Sequence, residues 1–222
     1  GNASAEQTFW NFTIGLPYAP EGSGIDDETI SRLPRLPAMV AGCGRPTVMG
    51  LDVGAVLHVV IRRSEGGVIF AGVCDWAEAE RKMGAYHVAA CAVDSMPEIS
   101  KAKEFARRFP GKVSLVRYMS PLRRGGRREV VEDGIPIIEI SRTEAIDSGF
   151  KRFFSGEEAV AENLPKEFFA HLRSLKRIVL QQGNKEYASW QDTSPDHFAQ
   201  SFCMSELVRS NDMDVERLIA FV

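Results

Sequence analysis

Hydrophobic positions form regular runs from Pro46 onward, and the first two runs are separated by a short turn. Residues 48–63 and 67–74 are rich in β-branched and other apolar residues, and the Ser-Glu-Gly-Gly sequence between them is typical of a turn. The almost continuous apolar run 85–93 predicts a strand that is covered on both faces. The pattern therefore predicts antiparallel strands followed by a buried strand.

Helices are predicted where apolar residues recur with the helical period and where boundary signals stand beside them. Residues 75–83 contain helix formers without a breaker, and Ser95 with Glu98 has the spacing of a capping box at the start of a second helix. Residues 112–119 predict the next strand. The later elements are a hairpin over 120–141, helices near 142–154 and 166–172, a hairpin within 174–191 that turns at Gly183-Asn184, and a last helix with Ser194 as N-cap and Pro195 at its first position.

The first 45 residues have a different composition from the rest of the chain. They are rich in proline and glycine, which excludes long regular elements, although residues 25–33 could form one short helix with an aspartate cap. The segment also carries the aromatic residues Phe9, Trp10, Phe12 and Tyr18. We expect an N-terminal arm or linker over 1–45 that packs on a neighbouring surface, followed by one α/β domain over 46–222.

The order of the elements is that of a ribonuclease-H-like fold. Antiparallel strands are followed by a β–α–β crossover and a late helix, so the first strand and the strand after the first helix should lie side by side and parallel. We therefore expect a mixed α/β sheet flanked by helices, with an extra hairpin insertion and the N-terminal arm. Asp52 lies on the first of these strands, and Asp94 follows the last apolar residue of the other.

Composition and charge narrow the class of protein. The chain of 222 residues is 44% hydrophobic and 26% charged, which excludes wholesale disorder. It has no apolar stretch of membrane-spanning length and no secretory pattern at its N-terminus. A net charge of −3 argues against a protein whose whole surface binds nucleic acid. The four cysteines, Cys43, Cys74, Cys91 and Cys203, have neither zinc-site nor disulfide-framework spacing and are expected to be reduced.

Asp52 is unusual because it interrupts a run that otherwise has the composition of a sheet core. A buried carboxylate is unfavourable unless it is paired or binds a metal ion. One interpretation is structural: Asp52 marks a tight turn in which Gly54 supplies a positive φ. The other is functional: Asp52 is a metal ligand, and Gly54 leaves room for a phosphate.

Two further carboxylates fall where this fold would bring them to Asp52. Asp94 and Asp196 each have a structural explanation, as a helix cap and as a favourable charge in a first helical turn. Three neighbouring carboxylates repel one another unless cations neutralise them, and their hard oxygen ligands select Mg²⁺ or Mn²⁺. Two such ions would support phosphodiester hydrolysis, with Asp52 bridging both ions and Asp94 and Asp196 each holding one.

Other polar residues are weaker candidates. Arg123, Arg124, Arg127 and Arg128 form a basic patch around two glycines that either binds DNA phosphates or is a solvated loop. His197 would support a neighbouring ligand, and Asp192 could replace Asp196 as the third ligand. His58 and His87 are expected to be packed structural residues, and His171 a residue of a helix surface.

Four segments together resemble the nuclease domain of large terminase subunits from tailed bacteriophages. They are GLDVGAVLHVVI, AVDSMPEISKAKEFARRFPG, ISRTEAIDSGF and SPDHFAQSF, in this order, and the leading FWNFTIGLPY resembles the segment after the packaging ATPase. The resemblance implies a metal-dependent endonuclease that cuts concatemeric double-stranded viral DNA in the host cytoplasm, with the acidic triad Asp52, Asp94 and Asp196. It also implies the portal, the small terminase subunit and the ATPase domain as partners.

Other interpretations remain beside this one. The chain contains no G-x-x-x-x-G-K-[ST] sequence, so we expect no ATP hydrolysis and either an excised domain or a stand-alone nuclease. A non-catalytic module that binds DNA or the portal would have the same fold. Another ribonuclease-H-like enzyme, such as a resolvase or an integrase, is a further alternative. An actin-like or sugar-kinase-like ATPase is less favoured, because it needs a second such domain.

Overall fold

The computed structural model describes residues 23–38, 44–119, 126–182 and 185–209. None of the helices in these ranges is both long enough and apolar enough to cross a membrane. In chain order the elements are α1 (Asp27–Ser31), β1 (Arg35–Leu36), β2 (Thr47–Val53), β3 (Leu57–Arg63), β4 (Val68–Cys74), α2 (Trp76–Ala85), β5 (Val88–Asp94), α3 (Ile99–Arg108), β6 (Val113–Met119), β7 (Arg128–Glu132), β8 (Ile135–Ser141), α4 (Arg142–Phe154), β9 (Val160–Ala161), α5 (Lys166–Ser174), β10 (Leu175–Gln182), β11 (Lys185–Asp192) and α6 (His197–Leu207).

A mixed sheet is the centre of the fold. Its strand order, within the described ranges, is β1–β9–β4–β3–β2–β5–β6–β8–β7. Strands β2, β3 and β4 are antiparallel neighbours, whereas β2, β5, β6 and β8 run parallel. β7 closes one edge as the antiparallel partner of β8, and β10 with β11 forms a separate hairpin. The expected ribonuclease-H-like mixed sheet flanked by helices is confirmed, including the parallel pairing of β2 with β5.

The two faces of β2 have different partners, because successive side chains of a strand point to opposite faces. Met49, Leu51 and Val53 belong to the core that contains α2 and α3. Val48 belongs to the opposite core, which contains Met204 of α6. Asp52 has the same parity as Val48, so its side chain lies on the face that α6 covers. A strand buried on both faces explains the near-continuous apolar sequence around one carboxylate.

Gly50 allows α6 to lie directly on β2. A Cβ atom at this position would be 1.8 Å from the carbonyl oxygen of Ser201 and 2.7 Å from the backbone nitrogen of Ser205. Gly54 has a different environment, because a Cβ there would meet nothing closer than the Val56 carbonyl oxygen at 3.6 Å. Its φ is not positive, so the structural interpretation, in which Gly54 supplies a positive φ to a tight turn, is wrong. The close approach of helix and strand explains Gly50 alone.

Two helices begin later than their cap signals predict. α3 begins at Ile99 with Glu98 as N-cap and no side-chain cap, so the predicted capping box at Ser95 was wrong. The backbone N–H of Met96 instead donates to the Asp94 carboxylate, which turns the chain after β5. α6 begins at His197 with Asp196 as N-cap, so the predicted start at Pro195 was also wrong.

Part of the N-terminal segment packs on the sheet. The predicted short helix is confirmed as α1, and Asp26 caps it by accepting from the Thr29 backbone N–H. Ile25 and Leu33 are buried in the core that also contains α4, α5 and α6. β1 pairs with β9 at one edge of the sheet. The aromatic residues Phe9, Trp10, Phe12 and Tyr18 lie outside the described residues, and the boundary at 45 stays a prediction.

A buried ion-pair cluster anchors the C-terminal end of α6 to β3. We call Arg62, Glu158, Glu206, Arg152 and Arg209 the Arg62 network. Arg62 is fully buried, and its Nη2 and Nη1 atoms lie 2.5 Å from carboxylate oxygens of Glu158 and Glu206, respectively. Its guanidinium also lies 4.2 Å from the centre of the Phe202 ring. Arg152 donates to Glu158 at 2.9 Å, and Arg209 donates to Glu206 at 2.7 Å.

Candidate active site

Asp52 is the centre of the candidate site. It stands one residue before the end of β2 and is only 7% exposed. One carboxylate oxygen lies 2.9 Å from Nδ1 of His197, the first residue of α6. The backbone N–H of Asp52 points to the Ser201 hydroxyl, one helical turn further along α6, at 3.2 Å. The charge of Asp52 is therefore held between the sheet and the helix rather than in a solvent-exposed turn.

The electrostatics of Asp52 place two other carboxylates near it. Burial raises the pKa of Asp52 to about 6, against a partial lowering by His197. The charges of Asp94 and Asp196 contribute to this rise. A neighbouring negative charge has this effect only over a short distance. We call Asp52, Asp94 and Asp196 the acidic group, although their carboxylate oxygens do not all lie within 4.8 Å of one another.

Asp94 reaches this group from the strand beside β2. Leu51 pairs with Val93 across the parallel β2–β5 ladder, so Asp52 and Asp94 are the next residues at the carboxyl edge of the sheet. One Asp94 carboxylate oxygen accepts from the Met96 backbone N–H at 3.0 Å. Burial raises the pKa of Asp94, and the bond from Met96 partly offsets it. The turn after β5 fixes the carboxyl group at the sheet edge.

Asp196 is held at the start of α6 by two side chains. Arg142, at the start of α4, donates to its carboxylate at 2.7 Å, and Gln200 donates at 2.5 Å. Arg142 also donates to the Trp190 carbonyl oxygen at 2.8 Å, and Gln200 accepts from the Tyr118 hydroxyl at 2.9 Å. These contacts explain why Asp196 occupies the N-cap without capping the helix.

Asp192 was considered as an alternative third ligand. It ends β11, its side chain is 60% exposed, and its carboxylate lies 3.6 Å from Arg142 Nη2. It therefore meets the site through Arg142, whereas the charge of Asp196 acts on Asp52 directly.

His58 and His197 lie beside Asp52, and His171 packs against the rings of both; sequence reasoning did not bring His58 or His171 to this place. The rings of His58 and His197 stack with centroids 4.5 Å apart, and the His171 ring lies 5.9 Å from each. His58 is the antiparallel partner of Asp52 across the β2–β3 hairpin. That pairing is the signal that could have found it, because a short turn fixes which residues face each other.

His58 lies in β3 and packs on the rings of His197 and Phe198, as expected of a packed strand residue, but it is only half buried. Burial, followed by the charges of His197 and His171, lowers the pKa of His58 to about 4. His171 is also half buried, and its Nδ1 atom accepts from the Phe198 backbone N–H at 3.1 Å. His87 is exposed and precedes β5 with a φ of 51°, so it is not packed within the strand. The contact of His197 with Asp52 agrees with its expected supporting position.

The arginine patch is only partly described. Arg123 and Arg124 lie outside the described residues. Arg127 pairs with Glu129, and Arg128 contacts Glu139, which also pairs with Arg117. Arg128 is the first residue of the edge strand β7 and is 57% exposed in its side chain. The described arginines are thus exposed but already have acidic partners.

The donor set at the sheet edge fits a divalent cation. Three carboxylates offer the hard oxygen ligands that Mg²⁺ and Mn²⁺ prefer, and burial disfavours the charged form of Asp52 unless a cation neutralises it. In addition, one Asp52 carboxylate oxygen and one nitrogen each of His58 and His197 lie within 4.8 Å of one another. The site can therefore present both oxygen and nitrogen ligands around the same aspartate.

Comparison with known proteins finds likenesses among solved structures. No protein-family model and no curated protein matches the chain. Among solved structures, the large terminase nuclease of the thermophilic phage G20c has a TM-score of 0.54 at 13% identity, covering 81% of this chain and 96% of that chain. The same G20c nuclease has also been solved with bound magnesium and with bound cobalt.

Two further large terminase nuclease domains have the same fold. That of Thermus phage P74-26 has a TM-score of 0.51 at 14% identity and covers 83% of this chain and 95% of that chain. A mutant domain of the bacterial virus Sf6, solved with manganese and beta-thujaplicinol, has a TM-score of 0.52 at 10% identity and covers 84% of this chain and 94% of that chain. The chain thus has the ribonuclease-H-like fold of phage large terminase nuclease domains, as its four sequence segments indicated.

Proposed function

We propose that this chain is a divalent-metal-dependent endonuclease that cleaves concatemeric double-stranded viral DNA during genome packaging. The observation that carries the proposal is the acidic group Asp52, Asp94 and Asp196 at the carboxyl edge of the sheet. The shared fold supports it, and so do the magnesium, cobalt and manganese in the structures of its neighbours. Ligands favour the carboxyl ends of parallel strands in open sheets.

The three carboxylates have distinct roles in this proposal. Asp52 would be a ligand shared by two ions, while Asp94 and Asp196 would each hold one. When bound, such ions activate water and stabilise the leaving oxygen of a phosphodiester. The chain itself keeps the ligands in place: Met96 orients Asp94, Arg142 and Gln200 orient Asp196, and His197 orients Asp52.

Double-stranded DNA would lie across this edge of the sheet. Arg123, Arg124, Arg127 and Arg128 are the proposed phosphate contacts, and such contacts position a duplex without reading its sequence. For Arg127 and Arg128 the phosphates would have to displace Glu129 and Glu139. The portal, the small terminase subunit and an ATPase domain are the partners proposed with this function.

The function is tested by incubating supercoiled plasmid with the protein and Mg²⁺ or Mn²⁺, beside an EDTA control and the Asp52→Asn variant. We expect cleavage that needs the metal and falls by about 10³-fold or more in the variant, since metal-bound ligands supply several kcal/mol of transition-state stabilisation. Asp192→Asn is the matched control and should cleave within a few-fold of wild type. A folded wild-type protein that binds DNA but cleaves in neither metal would favour the non-catalytic binding module instead.

A further inference from the structure

A cavity of about 510 Å³ opens at the N-terminal end of α6, beside His197. Its walls include His58, His171 and His197, together with Phe198, Pro165 and Glu167. A purely oxygen-ligated Mg²⁺ site has no need of imidazoles on this wall. The concentration of three of the chain's four histidines in one cavity therefore calls for its own explanation.

Two of these histidines bring ligand atoms close to Asp52. An Asp52 carboxylate oxygen, a His58 nitrogen and a His197 nitrogen all lie within 4.8 Å of one another. Zinc holds nitrogen and oxygen ligands at about 2.0–2.2 Å, so two ligands of a tetrahedral ion lie about 3.3–3.6 Å apart. The three atoms must therefore approach one another by up to about 1.5 Å when the ion binds.

His58 has an unused ligand atom. Its Nδ1 atom is buried and makes no hydrogen bond with any residue that the structure describes. Buried polar side-chain atoms nearly always have a partner, which is often an ordered water or an ion when the protein offers none. His197 faces Asp52 with its own Nδ1 at 2.9 Å, so a cation could replace the proton between them.

We propose that Asp52, His58 and His197 form a zinc site that shares Asp52 with the Mg²⁺ site, and that Zn²⁺ bound there inhibits DNA cleavage. Two imidazoles and one carboxylate form a ligand set that Zn²⁺ uses with a fourth position open, and imidazole favours Zn²⁺ over Mg²⁺. Because Asp52 is common to both sites, Zn²⁺ withdraws it from the Mg²⁺ ions. Zinc binding does not depend on the proposed nuclease function, whereas inhibition does.

His171 is not a ligand of this site. Its Nδ1 atom accepts a backbone hydrogen bond from Phe198, and it is not part of the group of atoms within 4.8 Å. His171 contacts the rings of both proposed histidine ligands, so it has a similar environment and a different role. His171→Phe is therefore the matched control for His58→Phe.

In the first experiment, Zn²⁺ is titrated into the full chain in a calorimeter, with no Mg²⁺ added. We expect one site, weakened at least about tenfold by His58→Phe and much less by His171→Phe and Asp94→Asn. His58→Gln and a thermal melt of each variant separate loss of a ligand from loss of the fold. Equal affinity of wild type, His58→Phe and His58→Gln for Zn²⁺, or equal weakening by His171→Phe, would overturn the zinc site.

Cobalt gives a readout of ligand geometry that is independent of activity. Co²⁺ bound by two imidazoles and a carboxylate should show the intense visible absorption of a tetrahedral ion, and this absorption should be lost in His58→Phe but kept in His171→Phe. The same weak spectrum in wild type and His58→Phe would contradict the site.

Inhibition is tested by adding Zn²⁺ to the Mg²⁺-dependent plasmid assay. Zinc should inhibit wild type and His171→Phe at concentrations at which His58→Phe still cleaves. If zinc binds as expected but no variant cleaves DNA at any zinc concentration, the nuclease function has failed and the binding site stands. If wild type cleaves and bound zinc leaves its rate unchanged, the inhibitory role is overturned.

Discussion

Helix α6 carries buried charge at both ends, and the two ends are compensated differently. At its C-terminal end, Glu206 and the fully buried Glu158 are surrounded by Arg62, Arg152 and Arg209. At its N-terminal end, Arg142 pairs with Asp196, His197 contacts Asp52, and a backbone N–H donates to Asp94. One end is a network of paired carboxylates and arginines, and at the other end the described partners of the aspartates include one arginine.

The pKa directions at the two ends express this difference. Burial alone would raise the pKa of Glu206, but hydrogen bonds from Arg209 and Arg62 and the charge of Arg62 lower it overall. Burial and the neighbouring carboxylates raise the pKa of Asp52 to about 6 although His197 opposes them. The carboxylates at the C-terminal end are thus paired with arginines, whereas the charged form of Asp52 is disfavoured in the absence of a bound cation.

The largest expected effect is the loss of stability when the Arg62 network, at the C-terminal end of α6, is broken. Arg62→Met leaves Glu158 buried without its main partner, and removing one partner of a buried ion pair costs about 3–5 kcal/mol of unfolding free energy. Chemical denaturation would measure this loss. Arg81→Met is the control, because the Arg81–Glu78 pair is exposed to solvent and should contribute far less to stability. Similar losses in both variants would mean that the Arg62 network does not stabilise the fold.

The next effect concerns Gly50, where α6 packs directly on β2. Gly50→Ala drives a methyl group into the backbone of Ser201, so α6 must move off β2, and we expect a loss of about 1–3 kcal/mol. The loss is measured as a shift of the urea midpoint at constant slope. Gly54→Ala, whose added Cβ meets only ordinary contacts, should remain within about 0.5 kcal/mol of wild type. Equal effects at both glycines would contradict the close packing of helix and strand.

Replacing Asp52, beside the N-terminal end of α6, should raise the stability of the protein rather than lower it. Asp52→Asn removes a buried charge, so at pH 8 without metal the variant should be more stable than wild type by on the order of 1–2 kcal/mol. Because the pKa of Asp52 is raised in the folded protein, the stability from its protonation is complete below its ordinary pKa of 3.8 and is lost as pH rises through about 6. The advantage of the variant should therefore vanish at pH 4. A variant less stable than wild type at both pH values would show that Asp52 is structural.

The smallest expected effect is the change in melting temperature that Mg²⁺ causes at two pH values. Mg²⁺ and the proton compete for Asp52, so Mg²⁺ should raise the melting temperature of wild type more at pH 7.5 than at pH 5. Near-tenfold weaker binding one unit below the pKa corresponds to about 1.4 kcal/mol, or about 3–5 °C for a domain of this size. Differential scanning calorimetry checks the shift, and Asp52→Asn should show little response to Mg²⁺ at either pH. A Mg²⁺ response that does not depend on pH would place the ion elsewhere.

The sequence by itself determined the class of fold and the acidic residues. Apolar runs of strand length, the helical periods after them and the order of the elements were enough to predict a mixed sheet with β2 parallel to β5. Asp52 and Asp94 were found because each interrupts or ends a buried run, and both are brought together by the same pairing that the run order implies. Local periodicity carries this information, since it reports which residues are buried.

Only the tertiary structure decided the helix starts, the histidines and the compensation of charge. The cap signals at Ser95 and Ser194 were overridden because Asp94 and Asp196 make specific contacts at the sheet edge. His58 lies beside Asp52 because β2 pairs with β3, and His171 lies beside His197 because α5 packs near the start of α6. Whether a buried charge is paired depends on contacts such as that of Arg62 with Glu158. These two residues are far apart in the sequence, so no periodic pattern predicts their contact.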